Sequence, residues 1–290
     1  MIDTGNILPF VIAFIMLGVG LSLTINDFLL VFKKPLLILI GLFCQLIILP
    51  LIAITIVSSI DIAPEFKVGI VIISACPGGA TSNLIRHLLK GNVALSIALT
   101  AFNSIITLVS IPFIVGLALR LFYHDTASIQ LPLGETMLKI FFMTVIPVFI
   151  GIFIRQKYPV LTEKLEYPLR FVMVTLLAGV YLIAALKSDL DPTNKGGGIF
   201  NYLYLFPYVF ALNIFGMITG VVVARIMRYK KRIQITYAIE IGIQNSALGI
   251  TIASGTTFLN NNAMAIPALI YALFTFFSAI LFGWLLKRFL

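Results

Sequence analysis

Residues 237–249 read Tyr237-Ala238-Ile239-Glu240-Ile241-Gly242-Ile243-Gln244-Asn245-Ser246-Ala247-Leu248-Gly249, which puts Glu, Gln, Asn and Ser within seven positions of an otherwise apolar run. The other ten acids of the chain (Asp3, Asp27, Asp61, Glu65, Asp125, Glu135, Glu163, Glu166, Asp189 and Asp191) fall in loops or at the ends of apolar runs. Around Glu240, 60% of the 290 residues are hydrophobic, 11% are charged, and mean hydropathy is +1.11. Soluble domains carry about 25% charged residues, so this composition cannot cover a water-facing surface. The chain reads as an all-α integral membrane protein. A charge at the centre of a span costs at least ~2.5–3.5 kcal/mol on insertion scales and marks a functional site by default. The plainer reading is a protonated Glu240 hydrogen-bonded for packing.

Outward from that stretch, the apolar runs give nine spans, about Ile7–Ile25, Pro35–Ser58, Phe66–Leu89, Val93–Phe122, Thr136–Ile154, Phe171–Leu186, Ile199–Ala224, Ile235–Thr256 and Ala263–Leu286. Most reach the ~20 residues that cross a bilayer as a helix. The loops between them are short, and the longest, Tyr123–Glu135, has room for a turn or two. With the first end outside, 15 of the 20 basic residues are cytoplasmic, leaving Lys67, Arg120, Lys139, Lys187 and Lys195 outside. That asymmetry supports both the odd span count and a multi-pass cell-membrane protein with its C-terminus in the cytoplasm. The first run is expected to be a retained span rather than a cleaved signal peptide. No basic residue precedes it, Lys33-Lys34 follow it, and no A-x-A site ends it. The net charge of +9 sits in these short loops and forms no basic face with interleaved aromatics, so no nucleic-acid partner is expected.

The third span is interrupted as the eighth is. Cys76-Pro77-Gly78-Gly79-Ala80-Thr81-Ser82-Asn83 falls in mid-membrane. Pro77 removes a backbone donor and the glycine pair makes helix continuation costly; a kink within a continuous helix is the simpler alternative. The two spans are five apart in order, so they run in opposite directions. Each is followed by a short polar turn (Gly91-Asn92, Asn260-Asn261-Asn262) and a long apolar helix. Broken helices at corresponding positions of inverted halves, here four spans against five, are the mark of a secondary transporter with its site where the breaks cross.

Several oxygen-bearing side chains accompany Glu240. Ser96, Thr100 and Asn103 recur at i, i+4 and i+7 on one helix face, Ser82 and Asn83 follow the first break, and Gln45 lies deep in the second span. Such polar stripes also serve as interhelical glue. Beside a carboxylate they form an oxygen-only set suited to a hard cation. Cys44 and Cys76 lie in apolar runs without CxxC spacing, and the two histidines are too few for a His-rich metal site. Na⁺ is therefore favoured over a transition metal.

CPGGATSN at Cys76–Asn83, GNVALSIALT at Gly91–Thr100 and EIGIQNSALG at Glu240–Gly249 resemble the motifs of the bile acid:sodium symporter family. The resemblance runs over essentially the whole chain. It implies ten helices as two inverted five-helix repeats, with this sequence similar to members that lack the first helix. It implies a core domain, about 35–58 with 66–122 and 199–288, and a panel domain, about 7–25 and 136–186. Two Na⁺ sites are implied as well. One would use Ser82, Asn83, Ser96, Thr100 and Glu240; the other would use Gln45, Glu240, Gln244 and the carbonyls of Ile241 and Ile243. The sequence departs from relatives that bind bile acids at Thr275-Phe276-Phe277, where a more polar patch is expected.

The expected function is sodium-coupled symport of an organic anion, bile-acid-like or smaller, by alternating access, with no enzymatic activity. Backbone N–H groups at the helix starts near Ala80, Thr81, Asn245 and Ser246, together with Thr275, are the candidates for holding the anion. The protein is expected to be able to work as a monomer. The alternative is a cation/proton antiporter exchanging through Glu240. Such sites usually pair two acids, or an acid with a lysine, and no second acid or lysine lies near the middle of a span. An intramembrane enzyme would need a nucleophile with a base or a metal, and neither HExxH nor G-x-S-x-G occurs.

Overall fold

A computed structural model describes residues 34–78, 88–123, 141–162, 198–255 and 258–289, with isolated positions elsewhere, among them Leu17, Gly20, Ser82 and Ile85. The described residues are helical and contain no strand. The elements are α1 (Pro35–Ser58), α2 (Pro64–Ala75), α3 (Val93–Phe122), α4 (Ile146–Lys157), α5 (Phe206–Ile226), α6 (Lys231–Gly242), α7 (Ser246–Ser254) and α8 (Asn262–Phe289). Among the described residues, three helical stretches are long and apolar enough to cross a membrane: Pro35–Ser58, Asn201–Ile226 and Asn262–Leu286. The helix α3 is a fourth if its two segments, which meet at 59°, count as one span. Pro112 accounts for that bend, since its ring displaces the carbonyl of Leu108 one turn earlier. The sixth span, most of the first, and with them much of the expected panel lie outside the described residues.

Prolines also set the local irregularities. Cys44–Ile48 in α1 is a π-turn, with Leu49 N–H bonded to Cys44 O, and Pro50 follows it. Phe141–Val145 is a second π-turn, followed by Pro147. In each case the proline cannot donate to the preceding turn, and one extra residue is accommodated there.

Packing is inside-out relative to a soluble protein. Leu36, Leu39, Phe43, Ile47 and Leu51 form an exposed apolar stripe along α1, whereas Gln45, Ser96, Thr100, Asn103 and Glu240 are buried. Lipid tails do not drive apolar faces together, so close backbone approach does more of the work. α2 is buried between α1, α3, α7 and α8. At Gly69 an added Cβ would stand 2.3 Å from Met264 O of α8. At Gly220 one would stand 2.5 Å from Tyr237 C, where α5 and α6 pack as an antiparallel pair. Away from this bundle, Gly151 of α4 meets the backbone of Leu17 and Gly20, and Arg155 Nη1 donates to Leu21 O at 3.4 Å.

Candidate functional site

Both interrupted spans are true breaks. The helix α2 stops at Ala75, and Cys76 is extended (φ −72°, ψ 150°), as the residue before a proline must be. Helical backbone is present again at Ser82, Ile85 and Leu88. The second break has no proline. There α6 stops at Gly242, Ile243 is extended (φ −112°, ψ 119°), and Asn245 caps α7 by accepting a 3.1 Å bond from Leu248 N. The breaks touch: Asn245 N donates to Pro77 O at 2.8 Å. The segments between half-helices therefore partly satisfy each other where no water could.

Glu240 lies in the last turn of α6, beside this crossing, and is 5% exposed. Ser96 Oγ donates to its Oε1 and Thr100 Oγ1 to its Oε2 at 2.9 Å. Ser82 Oγ stands 3.4 Å from Oε1, long for such a bond. Spacing of four residues on α3 brings both hydroxyls to one carboxylate. Gly78 leaves room for it, since a Cβ there would lie 2.9 Å from Glu240 Oε2 and 3.3 Å from Ser82 Oγ. The same Cβ would lie 3.8 Å from Ile243 O, which places that carbonyl at the edge of the group.

Gln45, in the π-turn of α1, approaches from the other side. Its Nε2 donates to Gln244 Oε1 at 2.6 Å and to Cys76 O at 3.2 Å, while Gln244 Nε2 donates to Ile241 O at 2.7 Å. Of the candidate residues, Ser82, Ser96, Thr100 and Glu240 form one cluster. Gln45, Ile241 and Gln244 form another, and the two meet at Glu240. Ala80, Thr81 and Asn83 lie outside the described residues. Asn245, Ser246 and Thr275 are buried. The Asn245 side chain is committed to its cap, and among the described residues no hydrogen bond links Thr275 to the Glu240 cluster.

A third group was not singled out by the sequence. Asn213 Nδ2 donates to Gly242 O at 2.6 Å, Tyr271 Oη donates to the same carbonyl, and Ser278 Oγ donates to Asn213 Oδ1 at 2.7 Å. It fixes the carbonyl at the break in α6 from α5 and α8. Apolar runs that carry a single Asn, Tyr or Ser hold no signal for this.

The electrostatics favour a cation. α2 and α6 both end at the crossing, so the negative ends of two helix dipoles converge there, and Glu240 adds a carboxylate at one of them. An acid near a helix C-terminus is disfavoured unless positive charge offsets it. Among the described residues no cluster of three His, Cys, Asp or Glu is present; the available ligand atoms are hydroxyl, amide, carboxylate and backbone oxygens, which suit hard cations.

Apolar helices around a buried carboxylate at crossed breaks define an integral-membrane transporter. The chain belongs to the sodium bile acid symporter family, whose model matches residues 9–190, and so to a family of sodium-dependent transporters. It is 29% identical over 240 residues to the uncharacterized sodium-dependent transporter YocS of Bacillus subtilis (strain 168), covering 83% of this chain and 71% of that one. It is 28% identical to the probable chloroplastic sodium/metabolite cotransporter BASS2 of Oryza sativa subsp. japonica, over 89% of this chain and 58% of that one. It is 29% identical to the ileal sodium/bile acid cotransporter of Homo sapiens, over 96% of this chain and 78% of that one. All three are named as transporters or cotransporters, not as enzymes.

Proposed function

We propose that the protein is a symporter that couples two Na⁺ ions to the transport of an organic anion by alternating access. The observation that carries this reading is the clustering of Ser96, Thr100 and Ser82 hydroxyls on Glu240 where two helix C-termini converge. A hydroxyl has one proton and two lone pairs. Each can therefore keep donating to the carboxylate while a lone pair binds a cation. One ion takes Ser82, Asn83, Ser96, Thr100 and Glu240; the other takes Gln45, Gln244, Glu240 and the carbonyls of Ile241 and Ile243. The candidates for holding the anion are Ala80, Thr81, Asn245, Ser246 and Thr275; the N–H groups of Asn245 and Ser246 donate to Pro77 O and Gln244 O, so an anion there would have to displace these two bonds.

Charge explains the coupling. Glu240 contributes −1, two Na⁺ +2 and a monoanion −1, so the loaded site is neutral and the empty one is not. The neutral loaded site crosses the low-dielectric barrier more easily than the charged, empty one, and the core then rocks against the panel. The names of the relatives span bile acid and metabolite cotransporters; the apolar Phe276-Phe277 pair after Thr275 is our reason to favour an anion other than a bile acid. The N-terminus lies outside and the C-terminus in the cytoplasm.

The test is Glu240→Gln. The amide keeps the shape and one carbonyl oxygen but removes the charge shared by both ions. The variant should insert and fold, while Na⁺ binding measured calorimetrically falls below detection. Undiminished Na⁺ binding would refute the site. In the antiporter reading, wild-type Na⁺ binding would instead be suppressed by protons near neutral pH, so titration at two pH values separates the two.

A further inference from the structure

A small cavity, with room for about one water-sized particle, opens beside Glu240 and is lined by Gln45 and Asn103 among others. These two residues carry amide oxygens, Gln45 Oε1 and Asn103 Oδ1, that are buried and accept no hydrogen bond from any described residue. Their side chains are only 5% and 4% exposed. Leaving such an acceptor unsatisfied costs about 1–3 kcal/mol, and both belong to residues that line the same cavity.

The orientation of Gln45 follows from its neighbours. Its Nε2 donates to Cys76 O and to Gln244 Oε1, so turning the amide over would set oxygen against the Cys76 carbonyl. Its Oε1 therefore belongs on the other side. Asn103 is one turn beyond Thr100 on α3, on the face from which Thr100 reaches Glu240. Gln45, Asn103 and Glu240 thus line one space, each bringing acceptor oxygens to its neighbourhood, near the negative ends of two helices. Water can donate to two of them; a cation can bind all three.

We infer that Asn103 is a ligand for a monovalent cation, its Oδ1 joining Gln45 Oε1 and the Glu240 carboxylate around this cavity. The inference rests on the sodium reading of Glu240. It adds to that reading a residue neither ligand set contains. Amide carbonyls carry strong dipoles without a proton to misplace, so Asn103 supplies coordination without altering the charge balance of the loaded site.

The test uses the full chain purified in detergent, titrated with NaCl and followed by calorimetry and by thermal shift. Asn103→Leu removes the oxygen at similar volume and should raise the Na⁺ half-saturation about tenfold, the factor that 1.4 kcal/mol represents. Asn103→Asp keeps an oxygen and adds charge, and should bind Na⁺ at least as tightly as wild type. If the cavity holds only water, Asn103→Leu will leave half-saturation within about twofold of wild type while its melting temperature in sodium-free buffer changes; that result overturns the inference. If the leucine variant does not fold, the aspartate variant decides alone, and Na⁺ binding weakened tenfold in it is an equally clear refutation. Loss of Na⁺ binding in Glu240→Gln with no effect of Asn103→Leu would sink this inference and leave the symporter reading standing. Absence of Na⁺ binding in the wild type would sink both.

Discussion

Gly78→Ala isolates the carboxylate from the rest of the fold. The new Cβ would stand 2.9 Å from Glu240 Oε2 and 3.3 Å from Ser82 Oγ, so it lands on the ends of two side chains and meets no backbone atom closer than Ile243 O at 3.8 Å. An ordinary carbon–oxygen contact is several tenths of an ångström longer than 2.9 Å, so the carboxylate must shift, which disturbs the bond that Thr100 Oγ1 donates to the same oxygen. Gly78 lies outside the left-handed region, so alanine brings no backbone strain there. Such a change alone stabilises by about 0.4–1 kcal/mol through the unfolded chain, against about 1–3 kcal/mol for overpacking a rigid site. Because the displaced group is a flexible tip, the net change in sodium-free stability should stay within about 1 kcal/mol. Sodium binding should be hit harder. With Na⁺ at about ten times its dissociation constant, binding stabilises by RT ln 11, about 1.4 kcal/mol; tenfold weaker binding leaves RT ln 2, about 0.4 kcal/mol. Melting temperatures of wild type and variant, with NaCl or choline chloride, read this directly. A sodium-induced shift equal to that of wild type would refute the placement of the cation at the carboxylate. Failure to fold would refute the claim that only side-chain tips yield.

Gln45→Ala should lower both the apparent Na⁺ affinity and the Hill slope, because one proposed ligand set contains it and the other does not. It also removes two buried hydrogen bonds and should cost about 1–3 kcal/mol in stability; an unchanged Hill slope would return Gln45 to packing. Tyr271→Phe deletes one of the two donors on Gly242 O and should cost about 1 kcal/mol, seen as a lower melting temperature, with an unchanged value showing that Asn213 alone holds the break. Reporters joined at Met1 and at Leu290 should be external and cytoplasmic respectively, as the distribution of basic residues demands; both on one side would overturn the nine-span count.

Much of this was legible in the chain. The limits of α1 and α3 follow from hydropathy alone, because a span is a contiguous apolar run whatever it packs against. The first break was legible because Pro77 and the glycines act on their own backbone. The second was signalled only by its polar residues; its mechanism, a helix ending at Gly242 and restarted by the Asn245 cap, appears in the fold. Glu240 stood out because a carboxylate in the middle of a span is costly enough to be conspicuous before its partners are known.

The partners themselves were a matter for tertiary structure. Ser96 and Thr100 meet Glu240 across 144 and 140 residues of chain, and Gln45 meets Gln244 across 199. Which face each helix turns inward is written in a sequence by polar–apolar alternation, and helices apolar nearly all round carry little of it. The spacing on α3 showed that Ser96, Thr100 and Asn103 share a face, but not what that face meets. Neither the direction of the Gln45 amide nor the joint hold of Asn213 and Tyr271 on Gly242 O could be read in advance. Hydrogen bonds depend on ångström-scale placement of helices against one another, and close packing at positions such as Gly69 and Gly220 sets that placement.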